Sequence, residues 1–319
     1  MKSTATRRAA SGARPPATQL EHIAEELRCY DEHLRDVRGL AAGTRKGRLR
    51  VVGLLLQEKF KGRAIEIGKL RPDDIRQFLA AQLSARRSSS HASHLAATLR
   101  SYLRYRTICG DQVDKLAAVI SNPVHWKLAS LPRALKPEEV ERLLNSFMAA
   151  RRWPKRGYAI VRCALDMGLR SGEIAHLMLD DIDWRVGTVI IRGTKSLRQD
   201  IMPLPIETGQ ALADYLQYER SATSNPAIFV RQKEGQDHPI TSMAIQKVIK
   251  RACRRIGLPH SSAHALRHTL ACRLVENGSS LKEVADVLRH RSLNSTLIYA
   301  KLDTPKLSTV ALPWPGSKS

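Results

Sequence analysis

The chain has 319 residues, 43% of them hydrophobic and 26% charged, a composition typical of a globular protein with about two domains. Its 53 Lys and Arg against 30 Asp and Glu give a net charge of +23, which favours nucleic acid as a partner over a membrane surface, since no segment resembles a basic lipid-binding helix. The five cysteines are scattered without a C-x-x-C pair, which argues against a disulfide framework or a structural zinc site and fits a reducing cytoplasm.

Residues 1–17 are basic and contain no apolar stretch, so the sequence predicts a disordered arm there rather than a secretory signal. The apolar stretch at residues 51–56 is far too short to span a bilayer. We therefore expect a cytoplasmic protein that works at the nucleoid and makes no contact with a membrane.

Residues 18–120 carry apolar side chains at helical spacing in four segments, which predicts an N-terminal four-helix domain. Basic residues on the exposed faces of these helices suit DNA phosphates. For any single Lys or Arg a solvated helix face is the better explanation, and only the collective excess of charge argues for DNA.

A linker is predicted at residues 121–134, which contain two prolines and no amphipathic period. A second domain is predicted for residues 135–319. It begins with a helix near Pro137, and a buried helix follows that ends at Gly168.

Strand-forming residues at 188–191 and 200–204 predict a β-hairpin, in which Pro203 indicates an edge strand. Helices resume after the hairpin. The predicted fold class is therefore mainly α with a small antiparallel β-sheet, in which the N-terminal four-helix domain precedes a mixed α/β C-terminal domain.

Two basic residues of this second domain are placed to reach a cleft. Arg170 follows the glycine that ends one helix, although an Arg that only complements the helix dipole is at least as good an explanation. Lys195 lies at or beside the hairpin tip, where most lysines remain solvated.

The most informative stretch is residues 264–299. His264 and Arg267 are three apart on a predicted helix and so share a face, and His290 and Tyr299 follow, Tyr299 on a last short helix capped by Asn294 or Ser295. A Tyr supplies a nucleophile, an Arg forms bidentate hydrogen bonds to phosphate oxygens, and a His transfers protons. One His or Tyr alone is more often structural.

The candidate residues occur in a fixed order and in recognisable motifs. The motifs are Gly168-Leu169-Arg170-Ser171-Gly172-Glu173, His264-x-x-Arg267-His268-Thr269, Leu288-x-His290 and Thr296-Leu297-Ile298-Tyr299, with Lys195 in the hairpin. With these residues the sequence resembles the tyrosine recombinase (phage integrase) family of site-specific DNA recombinases. The N-terminal helices are similar in pattern to that family's core-binding domain, and the second domain to its catalytic domain.

Two positions depart from the family's pattern. Ala265 stands where an acidic residue is common, and Arg289 stands where Gly is common. Neither departure removes a catalytic group.

The resemblance implies a reaction. Tyr299 would attack a DNA phosphodiester to give a 3′-phosphotyrosyl bond and a free 5′-hydroxyl. Arg170 and Arg267 would clamp the nonbridging oxygens and stabilise the pentavalent transition state. No cofactor is implied, neither ATP nor a metal ion.

The remaining roles concern protons and partners. Lys195 would protonate the departing 5′-oxygen, His264 would assist proton transfer at the nucleophile, and His290 would donate a hydrogen bond to the phosphate. The implied partner is double-stranded DNA, held in a two-domain clamp. Four protomers would synapse two sites, with the apolar tail from residue 302 to 314 packed on its own domain or on a neighbouring subunit.

Two alternatives from other classes remain. One is a catalytically inactive DNA-binding accessory protein, against which the complete residue set argues. The other is a DNA-relaxing enzyme like a type IB topoisomerase, against which the separate helical domain and His290 argue weakly. Integration, excision or transposition of a mobile element and resolution of chromosome dimers all fit the sequence.

Overall fold

The computed structural model describes residues 19–61, 63–85, 89–121, 133–150, 152–192, 199–231, 237–258, 261–290 and 292–302. Contacts divide the chain between residues 126 and 127 into two compact units. The predicted arm, most of the predicted linker and the tail beyond residue 302 lie outside the described residues. Among the described residues, none of the helices combines the length and the apolar character that a membrane span requires.

The first unit contains the four predicted helices. They are α1 (Gln19–Glu32), α2 (Ala42–Lys59), α3 (Pro72–Ala85) and α4 (Ser89–Ile108), with a π-helical turn at His33–Val37 and a 3-10 helix at Asp114–Val119. Their apolar faces form one core because leucines, isoleucines and aromatic rings recur at helical spacing. Inside this core the Tyr102 hydroxyl donates to Glu26 over 2.7 Å.

The second unit combines helices with a small sheet. Its first helices are α5 (Pro137–Asn145), α6 (Pro154–Asp166) and α7 (Ser171–Ala175), and the strands are β1 (Ile182–Asp183), β2 (Thr188–Arg192) and β3 (Gln199–Pro203). Its later helices are α8 (Ile206–Tyr218), α9 (Ser242–Arg255), α10 (Ala263–Glu276) and α11 (Leu281–Val287). The fold class predicted from the sequence is confirmed.

The three strands form an antiparallel sheet in the order β1-β2-β3. Val189 of β2 pairs with Met202 of β3. Because β3 has no partner on its other side within the described sheet, Pro203 lies on an edge strand, where its missing N–H costs no ladder hydrogen bond.

Helix α6 is the centre of the second unit, and it packs against α8, α9 and α10. Its inward face is made of small and branched residues, among them Ala159, Ile160 and Cys163, all fully buried. Small residues let neighbouring helices approach closely. This packing sets the end of α6, where Gly168 lies, against α10.

The chain after α10 is built from short elements. Gly278 adopts a φ of +87° just beyond the end of α10, and Ser280 with Glu283 forms the predicted capping box at the start of α11. Two 3-10 helices follow, at Leu293–Ser295 and Leu297–Leu302. Ser292 caps the first of them: its backbone is extended and its hydroxyl accepts from the Asn294 N–H. Asn294 and Ser295, predicted to cap the helix of Tyr299, lie inside this first 3-10 helix.

Candidate active site

The structure describes every candidate residue except Lys195, because residues 193–198 lie outside the described ranges. Arg170 is at the start of α7, and His264 and Arg267 are in the first turns of α10. His290 follows α11 and Tyr299 lies on the last 3-10 helix. Since α10 packs against α6, α11 and this 3-10 helix, one side of α10 gathers segments that are far apart in sequence.

Arg267 is buried, with 5% of its surface exposed, and its guanidinium donates to the backbone carbonyls of Gly168 and Leu288. Burial, together with the charges of Arg170 and Arg289, lowers the pKa of Arg267 to about 9. The group therefore stays protonated at neutral pH, and the two carbonyls fix its plane.

Gly168 is required at the carbonyl that receives Arg267. Its φ is +58°, a left-handed conformation that favours glycine. A Cβ here would also lie 2.8 Å from a Leu288 methyl carbon and 3.0 Å from one of Leu270. The glycine thus lets the end of α6 approach the segment after α11.

Arg170 is held differently, by the carboxylate of Glu173. The Arg170 Nη1 donates to Glu173 Oε1 over 2.6 Å, and the Arg170 backbone N–H donates to Oε2 over 2.8 Å. Its Nη2 donates to the carbonyl of Arg289 over 3.3 Å. The side chain keeps 41% of its surface exposed, so this guanidinium is oriented and still reaches solvent.

Glu173 is shared by a second guanidinium, that of Arg289, whose Nη2 donates to Oε2 over 2.9 Å. Both side chains are 7% exposed. Burial by itself would raise the pKa of Glu173, but the charges of Arg289 and Arg170 hold it below its usual value. The carboxylate is therefore ionised between two cations.

The turn from Leu288 to His290 ties both candidate arginines together. The Leu288 carbonyl accepts from Arg267 and the Arg289 carbonyl accepts from Arg170. His290 follows directly in the chain. Two backbone carbonyls thus place Arg170 and Arg267 beside the same imidazole.

The His290 ring has Nδ1 2.7 Å from the hydroxyl of Thr296, a side chain that is 1% exposed. Burial, followed by the charges of Arg267 and Arg170, lowers the pKa of His290 to about 4. The ring is neutral at pH 7. If the threonine hydroxyl donates to Nδ1, the ring proton lies on Nε2, which then is a donor.

Tyr299 is 1% exposed, and its hydroxyl oxygen lies 2.6 Å from Nδ1 of His268. Burial raises the pKa of Tyr299 to about 12, although the charge of Arg267 opposes the rise. Burial and the nearby charges of His264 and Arg267 lower the pKa of His268. A neutral imidazole at this distance can accept the phenol proton.

His264 itself is exposed, and no hydrogen bond between it and Tyr299 is found among the described residues. His268 is part of the motif His264-x-x-Arg267-His268-Thr269, but no catalytic role was predicted for it from the sequence. The spacing contained the signal, because residues four apart lie on one helix face and His268 is four after His264.

Three further contact residues were also missed by the sequence reasoning. Glu173 had a local signal, since it stands three residues after Arg170 in capping-box spacing. Thr296 stands three residues before Tyr299. Arg289 gave no signal of an ion pair, because its partner lies far away in the sequence.

The assembled groups suit one kind of chemistry. Guanidinium groups bind an oxyanion, a phenol is a nucleophile and neutral imidazoles move or donate protons. Within the part of the chain that the structure describes, no group of three or more His, Cys, Asp or Glu is arranged to hold a metal ion.

Among protein families, the chain matches the phage integrase family over residues 133–305. Among curated proteins, y4rA of Sinorhizobium fredii, whose name assigns it as an integrase/recombinase, is 35% identical over 92% of this chain and 72% of its own. Tyrosine recombinase XerC of Pseudomonas syringae pv. syringae is 29% identical over 90% of this chain and 94% of its own.

Solved structures share the fold. The XerH site-specific recombinase bound to palindromic difH substrate has a TM-score of 0.68 at 22% identity, over 91% of this chain and 87% of its own. A lambda integrase (75–356) dimer bound to a COC′ core site has a TM-score of 0.66 at 16% identity, over 85% of this chain and 96% of its own.

Proposed function

The chain belongs to the phage integrase family of tyrosine recombinases, enzymes that break and rejoin DNA, and from that premise we propose that it recombines specific DNA sites through a 3′-phosphotyrosyl intermediate. One observation carries the proposal. The Tyr299 hydroxyl is hydrogen-bonded to a neutral His268 within the electrostatic reach of Arg267, which is how a phenol is prepared to attack a phosphate.

The phosphate is bound by Arg170 and Arg267. Their donors would engage the two nonbridging oxygens, whose negative charge grows as the phosphorus becomes pentavalent. The neutral His290 would add one hydrogen bond from Nε2. Because the arginines are fixed before DNA arrives, little reorganisation is needed in the transition state.

In the cleavage step the Tyr299 oxygen forms a bond to phosphorus while the bond from phosphorus to the 5′-oxygen breaks. His268 takes the phenol proton. The departing 5′-oxygen receives a proton from Lys195, a role that rests on the family resemblance alone. His264 is exposed at the first turn of α10 and would face the incoming phosphate. We therefore assign proton transfer at the nucleophile, which was expected of His264, to His268.

Rejoining is the same exchange in reverse, with a 5′-hydroxyl of the partner strand as the attacking group. One phosphoester replaces another, so the proposal requires no ATP. The guanidinium groups supply the positive charge that phosphoryl transfer needs, so it requires no metal ion either.

Tyr299 must move before it can attack. At 1% exposure its phenol is covered by protein, and a DNA phosphate cannot reach it in this conformation. We propose that DNA binding shifts the 3-10 helix that carries Tyr299 and delivers the hydroxyl to the phosphate held by the arginines.

The partners follow from the same reaction. Duplex DNA would be the partner: XerH and lambda integrase are bound to DNA in their structures, and the net charge of +23 suits a polyanion. Strand exchange between two sites needs four active protomers, hence a homotetramer on DNA. Such an enzyme would act on a mobile element or a chromosome, in the cytoplasm at the nucleoid.

The test is Tyr299→Phe, assayed on a nicked suicide duplex whose site is first selected by binding from a random DNA pool. Wild type is expected to form a covalent adduct. The variant is expected to form none, because it lacks the attacking oxygen, and to keep noncovalent DNA affinity within about 2-fold, because the ring volume is unchanged. Tyr218→Phe is the matched control: this tyrosine is exposed outside the site and should keep full adduct formation.

Three outcomes would contradict the proposal. An adduct with the Phe variant would show that another residue is the nucleophile. Tight binding without any adduct in wild type would favour the accessory DNA-binding protein. Relaxation of supercoiled plasmid by dilute wild type, without paired sites, would favour the topoisomerase-like enzyme.

A further inference from the structure

Arg289 occupies a backbone conformation that its residue type disfavours. Its φ is +52°, in the left-handed region, where a Cβ crowds the following carbonyl and glycine is preferred. The sequence departs here from the glycine common in the family. A strained residue persists only when its surroundings hold it, so the side chain of Arg289 must make contacts that compensate.

Those contacts point into the candidate active site. The Arg289 side chain is 7% exposed, its Nη2 donates to Glu173 over 2.9 Å and its Nη1 donates to the Val287 carbonyl over 2.9 Å. Its Nε is buried and has no hydrogen-bond partner among the residues that the structure describes. A buried ionic side chain of this kind is held mainly by one carboxylate, that of Glu173.

The charge of the cluster depends on Arg289. Glu173 accepts two hydrogen bonds from Arg170, and with Arg170 as its only cation it would cancel most of that guanidinium's charge. With Arg289 on the same carboxylate, the guanidinium groups of Arg170, Arg267 and Arg289 face one negative charge. Among the described residues of the cluster, two positive charges remain uncompensated.

We propose that Arg289 is a positioning residue for the phosphoryl transfer: by sharing Glu173 with Arg170, it keeps the positive charge of Arg170 available to the nonbridging oxygens of the DNA phosphate. This inference rests on the proposed function.

The expected effect is on the transition state more than on binding. A phosphodiester carries one negative charge in the ground state, and its pentavalent transition state carries close to two on the nonbridging oxygens. Two uncompensated positive charges match the charge of the transition state better than that of the ground state. Loss of Arg289 should therefore slow cleavage while leaving DNA affinity nearly unchanged.

Arg289→Gly is the decisive variant because it removes the guanidinium and at the same time relieves the backbone strain, so the variant is expected to fold. On the suicide duplex we expect cleavage to slow by about 10- to 100-fold. Arg289→Lys, which keeps a charge without the planar fork, should fall between Gly and wild type. Arg289→Gln keeps most of the volume and should resemble Gly.

A methylphosphonate at the cleavage position separates charge stabilisation from a structural role. Replacement of one nonbridging oxygen by methyl removes one negative charge from both states. The defect of Arg289→Gly relative to wild type should then shrink to less than about 3-fold. An equal defect on both substrates, or no defect on the phosphodiester, would overturn the inference.

A second readout needs no reaction. The Arg289 charge contributes, after burial and the charges of other groups, to the lowered pKa of His290. In Arg289→Gly without DNA, the pKa of His290 followed by NMR should rise, and an unchanged value would also overturn the inference.

Arg162→Met is the matched control, since Arg162 is 13% exposed and paired with the carboxylate of Asp166 outside the cluster. It should lose stability without slowing cleavage at a temperature where it is folded. Failure of wild type to form any adduct would instead refute the proposed function, so the two failures are distinguishable.

Discussion

The two halves of the candidate active site are built in opposite ways. The arginine cradle, defined as Arg170, Glu173, Arg267 and the Leu288–Arg289 turn, is cross-linked by a shared carboxylate and by three backbone carbonyls. The tyrosine segment, residues 292–302, consists of two 3-10 helices. Among the described residues the Tyr299 hydroxyl has one hydrogen-bond partner, His268, and its ring lies in an apolar cluster with residues of α10 and α11.

This difference separates two tasks of the enzyme. Groups that stabilise charge act best when they are already in place, because their reorganisation would add to the barrier. A nucleophile that is buried until DNA arrives cannot attack the wrong phosphate. Short 3-10 helices have weaker hydrogen bonds than α-helices, which suits the shift of the tyrosine segment that we propose.

Among variants that keep the Tyr299 nucleophile, the largest effect is expected from breaking the cradle with Arg267→Lys. A lysine keeps the charge but cannot donate in a fixed plane to both the Gly168 and Leu288 carbonyls. Cleavage of the suicide duplex should fall by about 1,000-fold, as for loss of an oxyanion-binding donor, while DNA affinity changes little.

The control for this variant is Arg220→Lys. Arg220 also donates to backbone carbonyls, those of Ile228, Asn225 and Ala227, but lies outside the site. It should lose stability and keep cleavage. A normal rate for Arg267→Lys would show that the cradle does not depend on planar geometry.

A smaller effect is expected in the tyrosine half from His268→Asn. Asparagine can hold the Tyr299 hydroxyl by a hydrogen bond but cannot take its proton, so cleavage at pH 7 should slow by about 30-fold. The pKa of His268 lies below its ordinary value of 6.5, and the group must be neutral to accept the proton. The wild-type rate should therefore rise with pH below 6.5 and level off above it, and the variant should lose this rise.

His264→Asn tests the competing assignment in the same pH series. If the rise below pH 6.5 disappears in His264→Asn and persists in His268→Asn, then the exposed histidine, as first expected from the sequence, is the proton acceptor.

The smallest effect is expected at the junction of the two halves, from Thr296→Val. This substitution keeps the shape of a 1% exposed side chain but removes the hydroxyl that meets Nδ1 of His290. The ring proton would then no longer be confined to Nε2, and cleavage should slow by about 5-fold. The measurement is the single-turnover cleavage rate together with the 15N shifts of the His290 ring; unchanged shifts would show that Thr296 does not set the tautomer.

Much of the architecture follows from local sequence signals. Apolar spacing located the helices of both units, because a helix must turn one face to the core. The capping box at Ser280 and the edge strand at Pro203 could be predicted because they depend on one or a few neighbouring residues. The ends of the last two helices could not be predicted as well, because 3-10 helices bury too few residues to produce a clear hydrophobic period in the sequence.

The types and the order of the candidate catalytic residues were also contained in the sequence. What the sequence could not decide is which of them meet. His264 and His268 share a face of α10, and only the packing of the tyrosine segment against that helix selects His268 as the partner of Tyr299. Likewise, the pairing of Arg289 with Glu173 depends on a left-handed turn that brings together residues separated by 116 positions. Periodicity acts over a few residues, whereas a contact between distant side chains exists only once the whole unit has packed, so the tertiary structure alone assigns these partners.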